Sequence, residues 1–275
     1  MNAMLPAISQ VCTLHASFEK DIEDFAAAHC GAVEIWWGKL DRYLESHSVD
    51  DVRALLAAHE IAAPVASFQG GLLTSQGDAR REHWALFGRR LELCRQLGIG
   101  VMVVVGDVDG PLTEQDFERL RMSLRQAAEQ AGANGVRLAL EFQARATIPN
   151  NLQSAAMLVA DCGSPHLGIC LDLFHFYTGP SKTEDLSLLT AENLFHVQLC
   201  DLAGNLREWA TDADRVLPGD GDIPLGPLIV RLKEIGYAGA VSVEMMNPQI
   251  WQIPPRQVGE IAITALRKVL GLASM

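Results

Sequence analysis

Four polar side chains close apolar runs in this sequence. Glu141 ends VRLALE, Asp172 comes late in GICLD, Gln198 follows FHV and Glu244 ends AVSVE. Three carboxylates brought to one place would repel one another unless a cation lay among them, and an oxygen-only ligand set suits Mn²⁺ or Mg²⁺. The four therefore indicate a metal site if the fold gathers them. Taken alone, each is equally consistent with a buried group held by backbone amides or an arginine.

A histidine stands three residues beyond Asp172, in LDLFH. In a regular strand this spacing sends the two side chains to opposite faces, so His175 reaches the same site only if the chain is already turning. The YTGP that follows favours such a turn. We interpret His175 as a functional residue just past a strand end, with a packed core histidine as the alternative.

Eight short apolar runs must position these residues, and several are continuously hydrophobic, as parallel strands buried on both faces are. The runs are AISQVCTL, AVEIWW, AAPVASF, GVMVVV, VRLALEF, LGICLDLF, LFHVQLC and GAVSVEM. Helical patterns separate them. The clearest lie at 81–98, 113–132 and 256–270, with others at 17–29, 48–59, 151–162 and 226–235 and a weaker segment at 180–190.

This alternation predicts an α/β protein with a single (β/α)₈ TIM barrel, forming one domain over residues 1–275. A doubly wound open sheet gives the same alternation, but no glycine-rich phosphate fingerprint follows the first strand. In a barrel, the carboxyl ends of the strands line the mouth of the active site. A barrel would therefore bring the four polar side chains together, as the hypothesis of a metal site requires.

Composition narrows the choice of ligand and compartment. The 275 residues carry a net charge of −12 without an offsetting basic cluster, which disfavours nucleic acid and leaves a small molecule as the expected ligand. Six cysteines occur without a CxxC, mostly in apolar segments, as in a reducing cytoplasm. No apolar run approaches the roughly 18 residues of a membrane helix. We therefore expect a cytoplasmic protein that does not bind membranes.

The segments resemble the xylose isomerase-like TIM barrel superfamily, the sugar phosphate isomerase/epimerase group, over nearly the whole chain. LALEF, LDLFH, HVQLCD, DRVLPGDGDIPL and GYAGAVSVEM carry the resemblance. It implies one divalent metal, Mn²⁺ or Mg²⁺ with Zn²⁺ or Co²⁺ as alternatives, held by Glu141, Asp172, Gln198 and Glu244. The family often has histidine where Gln198 stands. His196 is kept as a reserve ligand, because the period of two lets both residues of the strand point inward.

The resemblance also implies substrate contacts. His175 resembles the histidine that hydrogen-bonds substrate oxygens, and Arg215 resembles a substrate-contacting arginine, with a solvated loop charge as the alternative. Trp36, in EIWWGK, is a further candidate that would cover the apolar face of a sugar or exclude water. Its neighbour Trp37 should point to the other face, and packing or a subunit contact is the alternative for the pair.

The implied reaction removes and returns a proton beside a carbonyl, with Glu141 and Glu244 as acid and base and a metal-stabilised ene-diolate. The leading hypothesis is an isomerase or epimerase of a small sugar, keto-sugar or hydroxy-keto acid. A dehydratase of a keto-cyclitol or dehydroshikimate-like substrate is the alternative, although Cys200 stands where several dehydratases have lysine. An endonuclease IV-like enzyme and a non-enzymatic binding protein rank lower. A homo-oligomer is left open.

Overall fold

The computed structural model describes residues 4–272, in which eight parallel strands form a closed barrel. The barrel strands are β1 (Leu5–Ser9), β2 (Ala32–Trp36), β3 (Ala62–Gln69), β4 (Val101–Gly106), β5 (Arg137–Phe142), β6 (Leu167–Asp172), β7 (Leu194–Leu199) and β10 (Ala240–Val243). Their order around the barrel is β1, β10, β7, β6, β5, β4, β3 and β2. The prediction of a (β/α)₈ barrel is confirmed. Two short antiparallel strands, β8 (Asp201–Leu202) and β9 (Arg215–Val216), follow β7.

Helices occupy the connections between the strands. They are α1 (Phe18–Ala27), α2 (Trp37–Tyr43), α3 (Val49–Ala58), α4 (Gly77–Leu97), α5 (Glu114–Ala133), α6 (Leu152–Cys162), α7 (Leu173–Thr178), α8 (Leu225–Glu234) and α9 (Pro255–Leu270). Local signals set several of their ends. Thr113 caps α5 in a reciprocal capping box with Asp116, and Gly98 ends α4 in the left-handed region at φ 72°. The weaker segment near 180–190 forms only a 3₁₀ turn at Thr183–Leu188.

Several predicted strands run past the observed strand ends. After Ser9 the chain forms a 3₁₀ turn at Gln10–Thr13, although the run AISQVCTL continues. The chain leaves the strand after Trp36 and after Asp172 and begins α2 and α7 at once, although the apolar runs AVEIWW and LGICLDLF continue. Both helices bury their first residues, Trp37 and Leu173, so hydrophobicity does not mark the change. A short apolar run has no periodicity that separates a buried strand from a buried turn of helix.

The chain packs as two compact units, and the first comprises residues up to Ala66 together with those from Val197 onward. In this unit β1 pairs with β2 and β10, and β10 pairs with β7. The register sets Ser9 beside Glu34, and Gln198 beside Ser242. Paired residues of parallel strands face the same way and alternate residues share a face, so Glu244 follows Ser242 on the side of Gln198.

The second unit runs from Ser67 to His196. Here β5 pairs with β4 and β6, and Glu141 stands in register with Val105 on one side and Cys170 on the other. Asp172 lies two residues after Cys170 and therefore shares the face of Glu141. The prediction that residues 1–275 form one domain stays a prediction.

Two further expectations concern thiols and membranes. All six cysteines lie within the described residues and are free thiols, and each except Cys162 is buried. Between residues 4 and 272, no helix has the length and apolar character needed to cross a membrane.

Candidate metal centre and active site

The end of β6 forms a tight turn around Asp172. This residue is the N-cap of α7, and its Oδ1 accepts hydrogen bonds from the backbone N–H groups of Phe174 at 2.6 Å and His175 at 3.4 Å. Because the helix begins immediately, His175 returns to the side of the carboxylate. Its Nε2 lies 4.0 Å from Asp172 Oδ2. The turn predicted after Asp172 is present, and it brings the two side chains together.

Glu141, at the end of β5, completes a carboxylate–histidine cluster with Asp172 and His175. His175 Nε2 lies 3.5 Å from Glu141 Oε1, and Gln143 Nε2 donates to that same oxygen at 2.6 Å. Each of the three residues offers a ligand atom, and these atoms lie within 4.8 Å of one another. All three residues are buried. Two carboxylates and an imidazole nitrogen at these separations fit a divalent cation.

Four buried residues of the first unit form an amide–arginine cluster: Glu34, Gln198, Arg215 and Glu244. Gln198 Nε2 donates to Glu34 Oε1 and to Glu244 Oε1, each at 2.9 Å. Arg215 Nη1 donates to Glu244 Oε2 at 3.0 Å. The guanidinium also donates to Asp212 Oδ1, from Nε at 3.0 Å and from Nη2 at 2.7 Å. Both oxygens of Glu244 thus accept hydrogen bonds.

Trp36 lines a cavity of about 600 Å³ formed by the segments that follow β1 and β2. Its side chain is half-buried, whereas Trp37 is 1% exposed, so the two tryptophans diverge as expected. The backbone N–H of Trp36 donates to Gln10 Oε1 at 3.0 Å, which holds the end of β2 against the turn after β1. The cavity wall also carries Tyr43, whose ring stacks on His47 at 4.0 Å between centroids.

A buried ion pair lies behind this wall. Lys39 Nζ donates to Asp21 Oδ2 at 2.5 Å and to the backbone carbonyl of Thr13 at 2.7 Å. Burial raises the pKa of Asp21 to about 6, although Lys39 and the Thr13 hydroxyl oppose the shift. Burial also lowers the pKa of Lys39, against the attraction of Asp21. The pair joins α1, α2 and the turn after β1.

A family model described as "Xylose isomerase-like TIM barrel" matches residues 22–269. The chain belongs to this family. The predicted resemblance is therefore confirmed over almost the whole sequence. The family carries the barrel that the strand order shows, and the proposed metal ligands stand at or directly after its strand ends.

Similar proteins and similar solved structures support this family assignment. An inosose isomerase from Halalkalibacterium halodurans is 30% identical over 252 residues, with 89% of each chain covered. A 3-dehydroshikimate dehydratase from Pseudomonas putida is 27% identical, over 89% of this chain and 38% of its own length. A crystal structure of the IolI protein with a bound zinc atom covers 99% of this chain and all of its own, at 26% identity and a TM-score of 0.92. The prediction that the chain is an enzyme is confirmed.

The structure refines three of the predicted site residues. Arg215 is 1% exposed, so the alternative of a solvated loop charge is wrong. His175, predicted to contact substrate, lies among possible metal ligands in the carboxylate–histidine cluster. His196, the reserve ligand, is fully buried and is not part of that cluster. Substrate contacts by His175, Arg215 and Trp36 stay predictions, as does the complete metal ligand set.

Two residues in or beside the clusters were not predicted from the sequence. Glu34 is the one charged residue of AVEIWW, but it stands in the middle of the run, whereas the predicted ligands stand at or near the ends of their runs. Gln143 directly follows LALEF, and no pattern distinguishes it from a loop residue. Cys200 is fully buried, with its Sγ 4.0 Å from Arg215 Nη1.

Proposed function

We propose that this enzyme is a divalent-metal-dependent isomerase of a small polyhydroxylated ketone, and that inosose is the first substrate to test. The carboxylate–histidine cluster of Glu141, Asp172 and His175 carries the proposal, because a carboxylate that could transfer a proton lies there beside oxygen and nitrogen atoms that could bind a cation. The relative from Halalkalibacterium halodurans, named inosose isomerase, supports the choice of substrate. Epimerisation of a keto-sugar or hydroxy-keto acid by the same proton transfer belongs to this proposal.

For the metal we keep the ligand set of Glu141, Asp172, Gln198 and Glu244, with Mn²⁺ or Mg²⁺ preferred and Zn²⁺ or Co²⁺ as alternatives. The imidazole of His175 beside Glu141 and Asp172 favours Mn²⁺ over Mg²⁺ within the preferred pair, because Mg²⁺ prefers oxygen ligands, and supports Zn²⁺ as an alternative. When bound, the cation would supply Lewis-acid stabilisation of the negative charge that develops on substrate oxygen.

The chain's own residues would move the proton. Gln143 Nε2 donates to Glu141 Oε1, and a proton on that oxygen would weaken the hydrogen bond, so we assign proton transfer to Oε2. Glu244 accepts from Gln198 on Oε1 and from Arg215 on Oε2, which suits a carboxylate that begins the cycle as the base. His175 would hold a substrate oxygen, and Trp36 would cover an apolar face of the ring and exclude water.

A dehydratase is the second candidate, favoured by the 3-dehydroshikimate dehydratases among the relatives. Such an enzyme would start with the same proton removal and then expel a hydroxyl group from the neighbouring carbon. We also keep the predictions of a cytoplasmic location and a possible homo-oligomer. They apply equally to an isomerase and to a dehydratase.

The test compares substrates and products directly. Purified enzyme would be incubated in D₂O with inosose, 3-dehydroshikimate, ketohexoses, ketopentoses or hydroxypyruvate, each with Mn²⁺, Mg²⁺ or Zn²⁺, and followed by NMR and mass spectrometry. An isomerase gives a product of unchanged composition apart from deuterium at the carbon beside the carbonyl. A dehydratase gives loss of one water and a conjugated absorbance. If no metal binds and no substrate exchanges its proton, the proposal is wrong.

A further inference from the structure

The amide of Gln198 is held by two carboxylates. Its Nε2 lies 2.9 Å from Glu34 Oε1 and 2.9 Å from Glu244 Oε1. Gln198 is 1% exposed and Glu34 is fully buried, so water competes little for these contacts. Both N–H groups of the amide are therefore committed to protein acceptors.

These two hydrogen bonds determine how the Gln198 amide is oriented between Glu34 and Glu244. An ionised carboxylate only accepts hydrogen bonds, so the NH₂ group, and not the carbonyl oxygen, must face Glu34 and Glu244. The amide is planar, and engaging both hydrogens of Nε2 also fixes its rotation. Oε1 is then the amide atom that Gln198 can offer to a cation, since neither carboxylate can donate a hydrogen bond to it.

Glu34 and Glu244 are not equivalent in this role. Glu244 is proposed both to bind the metal and to move a proton. Its hydrogen bond with the Gln198 amide therefore changes in strength during the catalytic cycle. Glu34 stands within β2, in register with Ser9 of β1, and takes no part in the proposed proton transfer. It is the constant member of the pair.

We infer that Glu34 is a positioning residue, which holds the Gln198 amide so that Oε1 is presented to the divalent metal. This inference rests on the proposed function in one respect, the assignment of Gln198 as a ligand. It adds a residue that the ligand set does not contain. Hydrogen-bond partners of ligands commonly tune metal affinity, and their loss weakens it by about 10- to 100-fold.

A double-mutant cycle on metal affinity tests this role. Titration calorimetry on the metal-free protein with Mn²⁺, and with Zn²⁺ against a competing chelator, would compare wild type, Glu34→Leu, Gln198→Leu and the double variant. Leucine has no acceptor for the Gln198 amide, so we expect Glu34→Leu to weaken binding by about 10- to 100-fold in the wild-type background. In the Gln198→Leu background the same change should alter affinity by less than about threefold, because the amide that it orients is gone.

Control variants separate this role from a general loss of structure. Asp21→Asn removes another buried carboxylate of the same unit, outside both clusters, and should leave the affinity for Mn²⁺ within about twofold of wild type. Thermal unfolding establishes that each variant is folded. If Glu34→Leu keeps its full effect in the Gln198→Leu background, Glu34 acts on the metal by itself and the inference is wrong.

Two other outcomes also decide the matter. Wild-type affinity in Glu34→Leu overturns the positioning role while leaving the proposed function intact, since turnover and the effect of Glu141→Gln are measured separately. Wild-type affinity in Gln198→Leu shows that Gln198 is not a ligand, which removes both this inference and that part of the proposed ligand set.

Discussion

The two polar clusters differ in how the chain assembles them. In the carboxylate–histidine cluster, Asp172 and His175 are three residues apart, and Glu141 comes from the neighbouring strand. In the amide–arginine cluster, Gln198 is 164 residues from Glu34 and 46 from Glu244. One cluster depends on a single turn and one strand pairing. The other depends on contacts between distant parts of the first unit.

The clusters also differ in their charge balance. Arg215, fully inside the protein, donates to Glu244, and the Gln198 amide adds two further hydrogen bonds to carboxylates. In the other cluster a histidine lies between two carboxylates, at 3.5 and 4.0 Å. An arginine is a permanent cation, whereas histidine changes charge near neutral pH. We therefore expect changes in the carboxylate–histidine cluster to affect metal binding and turnover more than folding, whereas changes in the amide–arginine cluster should affect folding as well.

The largest expected effect is on turnover. Glu141→Gln removes the proposed proton-transfer group while keeping the size of the side chain and should lower kcat by about 10²- to 10⁴-fold. Glu244→Gln should lower it by a similar factor. Turnover would be measured at saturating metal and substrate by deuterium exchange at the carbon beside the carbonyl. Full activity in either variant would contradict its acid/base role.

The next effect concerns stability in the amide–arginine cluster. Arg215→Met leaves Glu244 without its buried cation, and breaking a buried pair in this way costs about 3 to 5 kcal/mol in free energy of unfolding. The matched control is Arg121→Met, which breaks a partly exposed pair with Asp161 on the surface of the second unit and should cost about 1 kcal/mol or less. Urea titrations of both variants would measure this. Equal losses in the free energy of unfolding would show that the buried Arg215–Glu244 pair contributes no more to stability than the surface Arg121–Asp161 pair.

A pH series tests the ion pair behind the Trp36 cavity. The pKa of Asp21 is raised from 3.8 to about 6, so the folded state binds this proton more tightly than the unfolded state. Its contribution to stability is full below about pH 4 and is lost as the pH rises through 6. Relative to Asp21→Asn, wild type should therefore lose about 2 to 3 kcal/mol between pH 4 and pH 7. A difference that grows with pH would contradict the direction of this shift.

The smallest effect serves as a reference within the second unit. Thr113→Ala removes the N-cap of α5, whose hydroxyl accepts from Asp116 N–H at 3.2 Å, and should cost about 1 kcal/mol in free energy of unfolding. Metal affinity and kcat should not change, because Thr113 lies outside both clusters. A fall in metal affinity with this variant would show that stability and the site are coupled in this unit.

Much of the barrel follows from short segments of the sequence. Apolar runs bounded by polar residues mark the strands, and Thr113 and Gly98 mark helix ends through local hydrogen bonding and backbone freedom. The polar residues that end these runs, including Asp172, could be selected because strand ends in a barrel meet at one mouth. The turn that returns His175 to Asp172 is also local, since the Asp172 side chain accepts from the backbone that follows it.

The partners of these residues were decided by the tertiary structure. Nothing near Arg215 in the sequence shows that its guanidinium would be buried against Glu244, and nothing near Glu34 shows that it would hold Gln198. The sequence by itself determined which side chains stand at the strand ends, because that depends on local hydrophobicity and turn chemistry. Barrel register determined which of them touch, because hydrogen bonds between distant strands depend on how the whole chain packs.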